Sequence, residues 1–298
     1  MSFALLANVY AEKKPSLMLA IKANDLEKAK SAIEAGADVN EGEGSGTMIY
    51  WAVFYTNCDM IKLLVEKGAK IDGTTPMFGL TALNFAVDGA KEPSEIAEAN
   101  KKTNERVLKN FTEEKAREKG WWANTDPSKY STLGEKTKLL LELGANPNLL
   151  QGNGTVKEWT PFLTAVDKGK MELVKIMLES KKVDTEFRFH QWSEGVVSFV
   201  NYVEAGKYVK ADRNDVKYWA SLPRFDTPLL YAIDKDNLEL VKLLVENGAS
   251  LYNGKKVQET EKGTTYWKYL SPLDFAIRKG NADIISYLKS KDAVMYQE

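Results

Sequence analysis

Along this chain the apolar residues return in one arrangement. Six times an alanine is followed by a β-branched residue and preceded three places earlier by an apolar one. The alanines are Ala20, Ala52, Ala86, Ala165, Ala232 and Ala276; their neighbours are Ile21, Val53, Val87, Val166, Ile233 and Ile277. The apolar partners are Leu17, Ile49, Leu83, Phe162, Leu229 and Leu273. Spacing at i and i+3 is that of one helix face. Sixteen residues after Ala20, Ala52 and Ala232 comes a Gly-Ala pair, and the third copy reaches its own much later, at Gly144-Ala145. The pattern predicts helix pairs near 16–34, 48–66, 82–88 with 134–143, 161–180, 228–246 and 272–290.

The fifth copy, "TPLLYAIDKDNLELVKLLVENGAS" at 227–250, shows why each unit reads as two short helices. Thr227 is placed to cap the first helix, with Pro228 in the first turn where its missing N–H costs nothing. Asp236 with Glu239 has the form of a capping box for the second. Leu240, Val241, Leu243, Leu244 and Val245 supply its apolar face, and Gly248 suits the left-handed residue that ends a helix. Neither helix buries that face alone, so neighbouring units must stack.

Taken together these residues resemble the ankyrin repeat. Thr227-Pro228-Leu229 with Ala232, Thr160-Pro161 with Ala165, and Gly36-Ala37-Asp38-Val39-Asn40 match the family pattern as they stand. The histidine of that pattern is replaced throughout, by Met18, Tyr50, Asn84, Leu163, Leu230 and Asp274. Lys181-Lys182 occupies the place of Gly-Ala in the fourth unit. Less regular hydrogen bonding between units is therefore expected. The resemblance implies an all-α solenoid of stacked antiparallel helix pairs with hairpin loops. It also implies a protein-binding role without catalysis.

Three insertions break the period. One, about 90–133, falls between the helices of the third unit; it should be helical from Ser94, with Ile96, Val107, Leu108 and Phe111 on an apolar side and Trp121-Trp122 after them. Thr132 and Glu135 form a second capping box where the unit resumes. The next, about 185–225, should hold a helix over 193–206 ending at Gly206 and a short one around 216–222. The last, about 251–270, reads as an enlarged β-hairpin with Asn253-Gly254 as its turn signal. Residues 15–298 are thus expected to form a single domain, with 1–14 as a separate apolar segment. Within that segment Val9-Tyr10-Ala11 has the form of a signal-peptide cleavage site without its basic leader. A truncated leader would mean an exported chain, periplasmic or secreted. The other reading is an apolar cover over the first unit, in a cytoplasmic protein.

Composition narrows the chemistry. The 298 residues carry 41 Lys+Arg against 42 Asp+Glu, a poor match for nucleic acid, which attracts a concentrated positive face. No apolar run is long enough to span a bilayer. One cysteine (Cys58) and one histidine (His190) exclude an intramolecular disulfide and leave a Cys/His zinc site short of ligands. His190 stands among aromatics in "FRFHQW", without a nucleophile beside it, so neither a catalytic site nor a cofactor or metal is expected. The glycine-rich "NEGEGSGT" at 40–47 lacks the Gly-Lys-Ser/Thr ending of a phosphate loop and sits where a hairpin belongs.

Stacked repeats build an extended surface, so the leading expectation is a protein-binding module, monomeric when unbound. Five of the seven tryptophans lie in the insertions. Insertions two and three enter on the hairpin side, and Trp192, Trp219, Tyr266 and Trp267 are the candidate partner-binding residues. An aromatic pocket in the insertions, receiving a carbohydrate or small molecule, is the alternative.

Overall fold

Six helix pairs form the framework of the described chain, in the register that the alanines set. The computed structural model describes residues 16–43, 46–76, 79–119, 121–149, 160–186, 189–190, 203–204, 207–208, 225–261 and 264–296. It divides into an N-terminal body, Met1–Asn146, and a C-terminal body, Pro147–Glu298.

The N-terminal body holds α1 (Leu17–Lys22), α2 (Leu26–Glu34), α3 (Met48–Tyr55), α4 (Cys58–Glu66), α5 (Ala82–Asp88), α6 (Pro93–Leu108), α7 (Glu113–Glu118) and α8 (Leu133–Glu142). Helices α1, α3 and α5 pack side by side and α8 closes on α5. The repeated alanines Ala20, Ala52 and Ala86 and their neighbours Ile21, Val53 and Val87 are all buried, which is what close approach of adjacent helices demands. A two-residue strand pair, β1 (Gly42–Glu43) with β2 (Gly46–Thr47), forms a hairpin between the first two units.

In the C-terminal body, α9 (Pro161–Asp167) pairs with α10 (Met171–Glu179), α11 (Pro228–Asp234) with α12 (Leu238–Glu246), and α13 (Pro272–Lys279) with α14 (Ala282–Ser290). The short strands β3 (Phe189–His190) and β6 (Phe225–Asp226) pair antiparallel, as do β4 (Val203–Glu204) and β5 (Lys207–Tyr208). The longer strands β7 (Lys255–Glu261) and β8 (Thr264–Leu270) make the hairpin of the third insertion.

Cap chemistry explains most boundaries. Thr47, Thr81, Thr132, Thr160, Thr227 and Ser271 each accept from the backbone N–H three residues on. Gly36, Gly68, Gly144 and Gly248 take positive φ after the second helices, and Lys181, at φ 57°, fills that role in the fourth unit. The expected box at Asp236 and Glu239 moves by one residue. Asp236 is itself left-handed (φ 57°), so Asn237 becomes the cap and its Oδ1 accepts from Leu240 N at 3.0 Å. Likewise α6 starts at Pro93 with Glu92 as cap, one residue before the expected Ser94 start, because proline is preorganised for the first helical position. The expected helix over 193–206 does not reach Gly206. Val203–Glu204 is a strand paired with Lys207–Tyr208, Val203 opposite Tyr208, and such β-branched and aromatic residues favour a pleated pair. Most of the rest of that insertion, and residues 1–14, lie outside the described residues.

No unit carries the histidine of the family pattern. Loop side chains link successive units instead. Asn40 donates to Gly68 O (2.9 Å) and accepts from Lys70 N (2.8 Å); Asp72 accepts from Asn146 N (3.1 Å). Asn148 does the same between Lys182 O and Asp184 N, and Glu186 accepts from Ser250 N (2.6 Å) and Asn253 Nδ2.

The first insertion is built with comparable care. Asn104, buried, donates to Ala123 O (2.8 Å) and accepts from Ala123 N (2.9 Å), a paired contact that fixes the returning strand of chain on α6. Asn100, one turn earlier, donates to Asn124 O (2.6 Å) and to the Tyr130 hydroxyl (2.9 Å). Burial pushes that hydroxyl up to about 12, so it stays protonated and donates to Asn124 O (2.8 Å). The insertion then ties to the units: Asn24 Nδ2 donates to Lys129 O (2.7 Å) and Cys58 N to Ser131 Oγ (3.0 Å). Asn104→Ala strands the two backbone groups of Ala123, at a local cost of about 1–3 kcal/mol. Amide exchange of residues 121–126 should accelerate accordingly while the helix pairs keep their protection. Uniform acceleration along the chain would show that the insertion is not a separate element.

Candidate interaction surface

Four aromatic residues crowd the eight of α3, "MIYWAVFY". Stacking uses the other face: Met48, Ile49, Ala52 and Val53 are buried, while Tyr50, Trp51, Phe54 and Tyr55 are only partly so. Rings from two helices meet there. Tyr50 and Phe85 lie 4.2 Å apart, Phe54 and Phe85 5.6 Å, and Trp51 packs at 5.1 Å from Tyr50 and 5.9 Å from Tyr55. Such edge and offset contacts add stability beyond area burial and hold the rings in place. Burial raises the hydroxyl pKa of both Tyr50 and Tyr55, so each remains a neutral donor in ordinary conditions.

The hairpin is fitted to the same cluster. A Cβ on Gly46 would stand 2.6 Å from the Tyr50 ring and 2.9 Å from Trp51 Nε1, so only glycine lets β2 lie this close. Thr47, next in line, caps α3. Trp51 occupies the position just before the repeated alanine; Phe85 has it in the next unit, and Tyr231 and Phe275 have it in the C-terminal body. Trp51 falls within the helix pair expected near 48–66 and is not among the candidate partner-binding residues of the sequence. The available signal was four aromatics at positions that stacking does not need.

The four residues expected to bind a partner fare differently. Trp192 and Trp219 lie outside the described residues. Tyr266 and Trp267 are adjacent on β8, their backbones opposite Glu259 and Gln258 of β7. The base of the hairpin sits on α13: Arg278 Nη1 meets Glu259 Oε1 at 2.7 Å, and Lys255 Nζ stands 4.5 Å from the Phe275 ring centre. Asn253-Gly254, expected at the turn, instead lies at this base, because the register closes β7 on β8 at Glu261 and Thr264. His190 is on β3 opposite Phe225, and Cys58 is a free, half-buried thiol in the first turn of α4.

Among the described residues no cluster of three His, Cys, Asp or Glu side chains is placed to hold a metal, and no helix is long and apolar enough to cross a membrane. A cavity of about 470 Å³ lies beside α1 and α2, and its described lining is aliphatic and polar, from Leu17, Met18, Ala32, Asp38, Glu41 and Met48 among others.

Comparison with known proteins adds the following. A family model for ankyrin repeats in three copies matches residues 8–99, and the single ankyrin repeat model matches 225–255. BRCA1-associated RING domain protein 1 of Caenorhabditis elegans is 38% identical over 71 residues, covering 24% of this chain and 10% of that protein. An ankyrin repeat domain from Acinetobacter baumannii AYE is similar in fold, with TM-score 0.52 and 15% identity over 93% of this chain and 98% of its own. The human ASB11 ankyrin repeat domain gives 0.47, with 20% identity over 95% and 86%. The Bdellovibrio bacteriovorus predatory endopeptidase Bd0816 in complex with immunity protein Bd3460 gives 0.45, with 17% identity over 92% and 97%.

Proposed function

Because this chain is an ankyrin repeat protein, we propose that it is a non-enzymatic protein-binding module whose inner helices and hairpins form the contact surface. The observation that carries this reading is the ordered aromatic cluster of Tyr50, Trp51, Phe54, Tyr55 and Phe85 beside the β1–β2 hairpin. Half-buried rings held by one another lose little freedom on binding, which is why such residues dominate interfaces. Within the C-terminal body, Trp192, Trp219, Tyr266 and Trp267 of the insertions are proposed as further partner-binding residues, and residues 15–298 as one domain. A carbohydrate or small-molecule receptor would need rings around a pocket; the cavity beside α1 has an aliphatic and polar described lining.

The test begins with affinity capture from the native source and identification of the bound protein by mass spectrometry. Trp51→Ala should then weaken binding of the identified partner by about 2 kcal/mol or more. Alanine variants of Trp192, Trp219, Tyr266 and Trp267 follow, each checked by thermal melt. Wild-type affinity in folded Trp51→Ala would remove the inner-helix surface from the interface.

A further inference from the structure

We infer that the first insertion carries a second docking site, for an acidic segment of a partner protein that bears a large apolar side chain. Three large apolar residues are exposed close together in sequence and around one short helix: Leu108 (48%), Phe111 (38%) and Trp121 (46%). The Phe111 and Trp121 rings lie 4.9 Å apart at 59°. Around them stand cations. Lys115 Nζ is 5.6 Å from the Phe111 ring centre, and the Arg117 guanidinium is 5.1 Å from that of Trp122.

A loosely held hydrophobic loop would be weak grounds for a site, but this one is framed. Trp121 N donates to Ala116 O at 2.8 Å, Phe111 N to Val107 O at 3.0 Å, and Ala123 is clamped on both sides by Asn104. The rings are therefore presented rather than packed away, and a preorganised ring binds without the ordering cost of a mobile one. Nothing in stacking explains them, because the insertion is tied to the units through Lys129 and Ser131 rather than through these three residues.

Charge selects the occupant. Between residues 101 and 119 there are seven basic side chains and four acidic ones, in a chain that is otherwise close to neutral. Lys102 pairs with Glu98 and Arg117 with Glu113. Lys101, Arg106, Lys109 and Lys115 are exposed as well, on and between the helices that carry the apolar residues. A basic rim about an apolar centre fits carboxylates flanking an apolar anchor. Glu105, Glu113 and Glu114 are exposed as well; a short segment can set individual carboxylates against the cations and away from these glutamates, which a continuous anionic bilayer surface cannot, so a protein segment is the better fit than a lipid surface. The return of the insertion, at Lys129 and Ser131, is bonded to the helix–helix turns at Asn24 and Cys58, and none of Leu108, Phe111 and Trp121 belongs to the aromatic cluster of α3 and α5.

The test uses the full chain and an array of short synthetic peptides, each with one central Leu, Phe or Trp among glutamates, with lysine-flanked counterparts and phosphatidylserine vesicles alongside. Acidic peptides should bind, with affinity falling as salt is raised, and the lysine set should bind at least about tenfold more weakly. Trp121→Ala and the pair Lys109→Glu with Lys115→Glu should each weaken the acidic peptides by about tenfold or more. Both change exposed positions, so circular dichroism spectra and melts should match wild type. Equal binding of the two peptide sets, no binding, or acidic-peptide affinity unchanged in both variants overturns the proposal. Vesicle binding that these variants abolish overturns it in favour of a lipid surface. Trp51→Ala should leave acidic-peptide binding intact, which separates failure here from failure of the hairpin surface.

Discussion

Lys136→Met should abolish a rise in stability of about 3 kcal/mol that the wild-type chain shows between roughly pH 8 and pH 10.5. Lys136 is fully buried on α8, and its Nζ donates to Val53 O, one of the last carbonyls of α3, at 2.8 Å. Burial pulls its pKa down from 10.5 to about 8, against the pull of Cys58, Glu92 and Glu135, which favour the ammonium. Between these two values the unfolded chain holds a proton that the folded chain has released. Stability therefore rises with pH across that window. Below pH 8 both states are protonated and the full penalty of burying the ammonium is present; above 10.5 both are neutral and it is gone. Denaturant titrations of wild type and variant at pH 7.5, 9 and 10 isolate the residue, since every other group titrates in both. Free energies that stay parallel across the series would mean that the ammonium is solvated in the folded state.

That lysine also marks where sequence reading stops. In "EKTKLLLELG" it looks like one more charge on the outer side of an amphipathic helix, as its neighbour Lys138 is. What the local pattern does not carry is its contact with the end of α3, made 83 residues away through its bond to Val53. By contrast, the helix pairs were legible because their causes are local. Alanine with a β-branched neighbour sets the stacking face, threonine or serine five residues before it starts most of the first helices, and glycine after the second helix stops most of the units. The misplaced cap at Asp236 was a local misreading too: either Asp or Asn caps a helix, and only the backbone conformation decides between them. Asn100 and Asn104, one turn apart, were overlooked for another reason. Two asparagines on a charged helix look like solvent-facing residues until the chain returning at Ala123 and Asn124 supplies their partners. The aromatic cluster was readable in part. Its crowding is visible in "MIYWAVFY", whereas Phe85 joining it depends on α3 and α5 packing together.

Gly254→Ala should damage the β7–β8 hairpin far more than Gly248→Ala damages the helix end six residues earlier. The two glycines are there for different reasons. Gly248 has φ 91° with nothing within 4 Å of an added Cβ, so alanine meets only the left-handed strain of about 1–2 kcal/mol. At Gly254 the added atom would fall 1.8 Å from Leu270 O, 2.7 Å from Leu270 C and 2.9 Å from Ser271 Cα. All three are backbone atoms, so no side chain can swing aside. Nor can the backbone shift freely: Ser271 caps α13, and Gly254 N donates to the Tyr296 hydroxyl at 3.0 Å. Relief requires parting the hairpin base, uncapping α13, or both, at about 3 kcal/mol or more. Amide exchange should then quicken across 255–270 and in the first turn of α13, with the N-terminal body unchanged. Because β8 carries Tyr266 and Trp267, partner affinity should fall together with hairpin protection if the proposed surface includes them. Equal melting shifts for the two glycine variants would refute the close approach at Gly254. Lost protection with full partner affinity would instead free the interface from this hairpin and leave it to the inner helices around Trp51.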